Sequence, residues 1–193
     1  MTVAFRSITS ITALIIYLMT TSMSATAQDP WAEYMTPSDM HTLFARYTGS
    51  FDMEISMPVG EGKEPFVTNV QSEHEMILGG RYLRMDQKGD MMGMDYHAIM
   101  TLGFNNSDRQ MALTAITNMG TGTLSLFGPW DEKAQTATVT GQLTNPVTKK
   151  RITVRQTISF IDENTILIES FDTEGDRPEK KTVQYKLTRS TGR

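Results

Sequence analysis

The side chains able to do chemistry are few, and their spacing limits what they can do. Fifteen methionines and three histidines are present and cysteine is absent. Disulfides, zinc–thiolate sites, iron–sulfur clusters and a cysteine nucleophile are therefore excluded. The densest run of soft donors is Met85, Met91, Met92, Met94 and Met100, with His97 among them. Thioethers and imidazole suit Cu(I). In an extended chain, however, Met92 and Met94 share a face while His97 and Met100 fall on opposite faces, and a metal needs convergent ligands. Methionine is equally a flexible filler of irregular apolar space. Packing is the expected role, and no metal or other cofactor is assigned.

Nucleophilic catalysis has little to build on. There is no G-x-S-x-G elbow, the turn that presents a serine in many hydrolases. Gly120-Thr121-Gly122 has no helical pattern after it, so it reads as a hairpin turn and not a phosphate cradle. Glu169 shares strand parity with Leu167 and Phe171, which would turn it inward. A buried carboxylate is costly without a partner. Arg155 or Arg84 could supply one, although Arg155 belongs to the polar face of its own strand. A surface cross-strand ion pair, worth under about 1 kcal/mol, is the plainer outcome. No catalytic residue is assigned. An enzyme alternative would use His97 or Glu169 as acid or base inside an interior cavity.

Those residues sit on a chain that reads as one domain behind a targeting segment. A single cation, Arg6, precedes an apolar run from Ile11 to Met19, and Ala25 and Ala27 fit a small-residue cleavage site. That pattern is a secretory signal peptide over residues 1–27, with Gln28 first in the mature chain. The run is shorter than the roughly 20 apolar residues of a membrane span, so no stable membrane insertion is expected after cleavage. A periplasmic or secreted location follows, and no lipobox cysteine exists to anchor the product. Removing the segment takes the formal charge from −4 to −5 through loss of Arg6, a balance that argues against a nucleic-acid partner.

The elements follow from periodicity. Residues 28–37 read as a loosely held N-terminal arm, and 38–193 as the folded domain. Ser38 caps one short helix carrying Met40, Leu43 and Phe44 at helical spacing. His41 lies in it as a capping or surface histidine. After Gly49 the period changes to two: Phe51, Met53, Ile55 and Met57 alternate with Asp52, Glu54 and Ser56. Similar segments recur to the C-terminus, broken by Gly79-Gly80, Asn105 to Asp108, Met119-Gly120, Gly128 to Asp131, Asn145-Pro146 and Asp162 to Asn164. About ten strands with hairpin-length links imply antiparallel neighbours. With no helices to cover a sheet, the all-β chain should close into a barrel or a two-sheet sandwich, and the short consecutive links favour an antiparallel up-and-down barrel of about 8–10 strands.

The blocks LGGRYL (78–83), GDMMGMDYHA (89–98), SDRQMALTAITNMGTG (107–122), GPWDEKAQTATVTGQL (128–143) and TVRQTISFIDENTILIESFD (153–172) resemble the bacterial domain of unknown function family 1579. The resemblance covers nearly all of the mature chain. It implies a calycin-like, lipocalin-like barrel and no particular reaction. The chain departs from the pattern at Phe51, where calycins tend to tryptophan. It departs also at Ala115 and Met111, in place of a tryptophan and a tyrosine, and at His97, in place of an acid. An inward Ala115 would leave a roomier interior.

A barrel of this size can hold one small molecule, so the leading expectation is a carrier of a small apolar or amphipathic ligand. By alternation, the wall residues are Tyr96, Ala98, Met100, Met111, Leu113, Ala115, Val139, Val154 and Tyr185, with Glu169 as a polar contact. Met91, Met92 and Met94 would form a lip at the barrel mouth. A solidly packed structural or interaction barrel is the alternative to both carrier and enzyme.

Overall fold

The computed structural model describes residues 29–191. Residues 1–27, expected to be a signal peptide cleaved after Ala27, lie outside the described residues. Within the segment read as an arm, Pro30–Met35 form a short helix, α1, whose start is tied by the Trp31 N–H donating to Asp29 Oδ1. A second, α2 (Asp39–Ala45), follows. The Ser38 backbone N–H donates to His41 Nδ1 at 2.9 Å, so His41 returns the cap that Ser38 begins. No described helix is long and apolar enough to cross a membrane.

Ten strands then follow: β1 (Gly49–Met57), β2 (Phe66–Ile77), β3 (Tyr82–Met91), β4 (Met94–Asn105), β5 (Gln110–Thr117), β6 (Leu124–Asp131), β7 (Thr136–Thr144), β8 (Arg151–Asp162), β9 (Thr165–Glu174) and β10 (Lys180–Arg189). Each pairs antiparallel with the next, and β10 pairs with β1 to close the barrel. The alternation of the sequence becomes inside and outside. On β1, Phe51, Met53 and Ile55 are buried while Asp52 and Glu54 are exposed. Closure leaves no free sheet edge.

Two features set the shape locally. The β3–β4 hairpin turns on Met92 and Gly93, both at positive φ (57° and 77°), as a two-residue turn requires to match strand twist. Between β6 and β7 the backbones approach so closely that a Cβ on Gly128 would lie 2.0 Å from the Thr138 carbonyl oxygen. Only glycine fits there.

The two ends of the barrel differ. At one, α2 packs against β2, β3 and β4, and aromatic rings fill the interior. Phe160 meets Phe44, Tyr47 and Trp130 at centroid distances of 6.2, 4.8 and 5.8 Å. Phe51 stacks on His74 at 4.2 Å with Arg189 on the same ring at 4.8 Å. Arg189 also donates to the carbonyls of Thr48 and Arg46, and the Tyr47 hydroxyl donates to the Asp162 carbonyl at 2.6 Å. This end is sealed.

Candidate functional site

The other end is open. The same alternation that delivers Phe51 and Phe160 to the sealed end delivers smaller and more polar side chains here. Tyr96, Ala98 and Met100 come from β4, Ala115 from β5, Leu124 from β6 and Leu143 from β7. Gln87 from β3, Gln156 from β8 and Tyr185 from β10 complete the wall of a cavity of about 650 Å³. The connections at 120–123 and 144–146 form its rim, with Arg151 beside them.

The polar members form two small groups. The Tyr96 hydroxyl donates to Gln87 Oε1 at 3.1 Å, and burial followed by the neighbouring Tyr185 raises the Tyr96 phenol above its usual range. Gln156 Nε2 donates to Ser170 Oγ at 3.3 Å. Tyr185 lies deep in the wall with part of its ring facing the cavity; burial, reinforced by Asp172, pushes its phenol up to about 12. Asp172, half-buried, has its carboxyl raised by burial, partly offset by a hydrogen bond with Thr182. Both phenols are neutral and able to donate at any physiological pH.

The wall residues expected from alternation divide into two sets. Tyr96, Ala98, Met100, Ala115 and Tyr185 line the cavity. Met111, Leu113, Val139 and Val154 point inward but lie in the packed core outside the cavity lining. The inward Ala115 contributes to the cavity where the resemblance places a tryptophan. Met91 packs against the core from the β3–β4 hairpin, at the cavity end of the barrel, and Met92 and Met94 are exposed there.

Glu169 corrects the inward placement and forms the plainer outcome, a cross-strand surface ion pair. On β9 the inward residues are Ile166, Ile168 and Ser170, and Glu169 stands on the outer face, bonded to Lys181 Nζ at 2.6 Å. Both faces of that strand carry aliphatic residues, so parity named the wrong one. Arg155 is also outside, in an ion pair with Glu179 at 2.6 Å and over the Phe171 ring at 4.2 Å, while Arg84 pairs with Glu75 and Asp86. His97 is on the outer face as well, 3.0 Å from Asp86. Neither acid/base candidate of the enzyme alternative, His97 or Glu169, reaches the cavity. The soft-donor run is split likewise, with Met85 and Met100 inside and His97 outside.

Gln87, Gln156, Ser170 and Asp172 were not foreseen, yet the sequence marks them. Gln87 shares parity with Leu83 and Met85, and Gln156 with Val154 and Ile158. A polar residue in an apolar register is the signal that finds them. Gln87 and Gln156 belong to the cavity lining, while Ser170 and Asp172 stand outside it.

Among curated proteins, none matches the chain. A family model described as Protein of unknown function (DUF1579) matches residues 36–189, a span that takes in α2 and all ten strands, and the chain belongs to that family.

Proposed function

We propose that this protein is an exported carrier that binds a small apolar or amphipathic molecule inside its barrel. The observation that supports this reading is the cavity of about 650 Å³, open at one end and walled by Met100, Leu124 and Leu143 around a polar patch. Ligand sites commonly enclose roughly 300–1,000 Å³, mostly apolar with a few placed polar groups. A purely structural barrel has no use for such a void, because empty apolar space forfeits packing contacts. Export rests on the charge, apolar run and small-residue site of residues 1–27.

The test is binding of an apolar fluorescent probe, alongside native mass spectrometry of the purified protein. Ala115→Trp fills the cavity from β5, and the variant is expected to bind the probe at least about tenfold more weakly with its circular dichroism unchanged. Absence of both probe binding and a co-purifying small molecule in the unmodified protein sinks the carrier reading. For export, the intact mass of the protein recovered outside the cytoplasm is expected to begin at Gln28. A product that retains Met1 refutes cleavage.

A further inference from the structure

The hairpin connections at the open end hold apolar side chains out in solvent. Those joining β3 to β4, β5 to β6 and β7 to β8 follow one another around the closed barrel. They present Met92, Met119 and Val147, which are 60%, 41% and 86% exposed. The second and third of these connections also form the cavity rim. Val147 stands on an ordered turn. Asn145 Oδ1 accepts from the Val147 and Thr148 backbone N–H groups at 2.9 and 3.1 Å, and the Lys149 N–H donates to the Asn145 carbonyl at 2.9 Å. The Thr148 hydroxyl donates to Glu174 Oε1 at 2.7 Å, tying the tip to β9. One exposed valine needs no explanation, but apolar tips on three neighbouring hairpins at one opening do.

Charge says what covers them. Lys149, Lys150 and Arg151 follow Val147 directly after Thr148, all three exposed, and no acid lies between Asn145 and Arg151. Glu174, the carboxylate bonded to this turn, also pairs with Arg177 at 3.5 Å. The other connections at this end mix signs, with Glu61, Lys63 and Glu64 after β1 and Asp176, Arg177 and Glu179 after β9. At the β3–β4 turn Asp90 Oδ1 accepts from the Gly93 N–H at 2.9 Å. The whole chain carries −4. An anionic surface therefore repels most of the molecule and attracts the β7–β8 tip, which turns the mouth toward that surface. Apolar side chains beside a basic cluster suit the boundary of an anionic bilayer, where the cations meet headgroups and the apolar groups enter the acyl region.

We propose that the open end docks reversibly on a bilayer containing anionic phospholipid. Val147 and Met119 enter the interface, and Lys149, Lys150 and Arg151 lie on the headgroups. Docking sets the cavity mouth against a source of apolar molecules. It goes beyond the carrier reading and is measurable with the cavity empty.

Co-sedimentation of the purified protein with vesicles tests this, using phosphatidylcholine alone and with about 30 mol% phosphatidylglycerol. Residues 1–27, where present, are common to every variant, so differences between variants report the tip. Binding to the anionic vesicles is expected to be at least about tenfold stronger than to the neutral ones. Lys149→Gln/Lys150→Gln is expected to weaken it at least about tenfold, and Val147→Asp about fivefold. Lys133→Gln/Lys186→Gln changes the net charge equally, away from the tip, and is expected to alter binding by less than about twofold. Equal binding to both vesicles, or binding undiminished in Lys149→Gln/Lys150→Gln, overturns the docking. Equal losses in the two lysine pairs show that net charge alone decides, which also overturns it. So does full binding by Val147→Asp, which would mean that no apolar tip enters the bilayer. A lipid-free dimer in light scattering that Val147→Asp dissociates assigns the surface to a second copy instead. None of these outcomes touches the carrier reading, which stands or falls on probe binding.

Discussion

At the sealed end of the barrel, Phe44, Tyr47, Phe51, His74, Trp130 and Phe160 lie ring against ring; at the open end, Ala98 and Ala115 stand at comparable inward positions and leave about 650 Å³ unfilled. The strands are the same ten. What differs is side-chain volume and the treatment of polar groups. His74 at the sealed end has both ring nitrogens engaged: Nδ1–H donates to the Tyr47 carbonyl at 2.9 Å, and Nε2 accepts from Ser72 at 2.8 Å. Gln87 and Gln156 are buried as deeply and keep one atom idle each. Satisfied polar groups hold a structure in one arrangement, whereas a buried group left partly unpaired costs stability. The contrast is axial, with packed rings at one end and an unfilled cavity at the other.

Three measurements would break or sharpen that contrast. The largest effect is expected from Phe51→Ala, which removes a fully buried ring together with the His74 stack and the Arg189 contact. Large-to-small changes of this kind cost about 4 kcal/mol, read in denaturant unfolding. A loss below about 1 kcal/mol would deny the sealed end its structural role.

The next concerns His74, whose pKa burial lowers from 6.5 to about 4. The folded protein keeps the ring neutral while the unfolded chain binds a proton below 6.5, so the contribution is whole above pH 6.5 and is lost as pH falls toward 4. A difference of about 2.5 units corresponds to about 3 kcal/mol. The slope of stability against pH in that window is expected to flatten in His74→Phe. An equally steep slope in the variant assigns the acid sensitivity elsewhere.

The smallest effect belongs to the open end. Ala115→Trp is expected to change stability by less than about 1 kcal/mol, because it grows into unoccupied space. A loss of several kcal/mol would show that the open end is packed as tightly as the sealed one.

The barrel was legible because nearly every strand separates its faces. Phe51, Met53 and Ile55 against Asp52 and Glu54 leave one choice of inside. Glu169 shows where that logic fails, since Ile166 and Ile168 on one face compete with Leu167 and Phe171 on the other. Periodicity is silent when both faces are apolar. It is silent also about depth. Leu113 and Ala115 share inward parity on β5, yet only Ala115 lines the cavity, because height along the axis depends on how neighbouring strands are staggered. The two glutamines are polar interruptions of apolar registers, which alternation among apolar residues alone does not mark.

The pairing of β1 with β10 sets Phe51 opposite Arg189, 189 − 51 = 138 positions apart along the chain. Every other seam joins consecutive strands, so the sheet can assemble by short hairpin steps while this one must wait for both extremities. Contacts of such long sequence separation slow folding. Until the seam forms, β1 and β10 present bare edges that neighbouring molecules can join. The last step of folding is thus the one most exposed to aggregation, and Arg189, which clamps the seam at the sealed end through Phe51, Thr48 and Arg46, is the residue that ends that exposure.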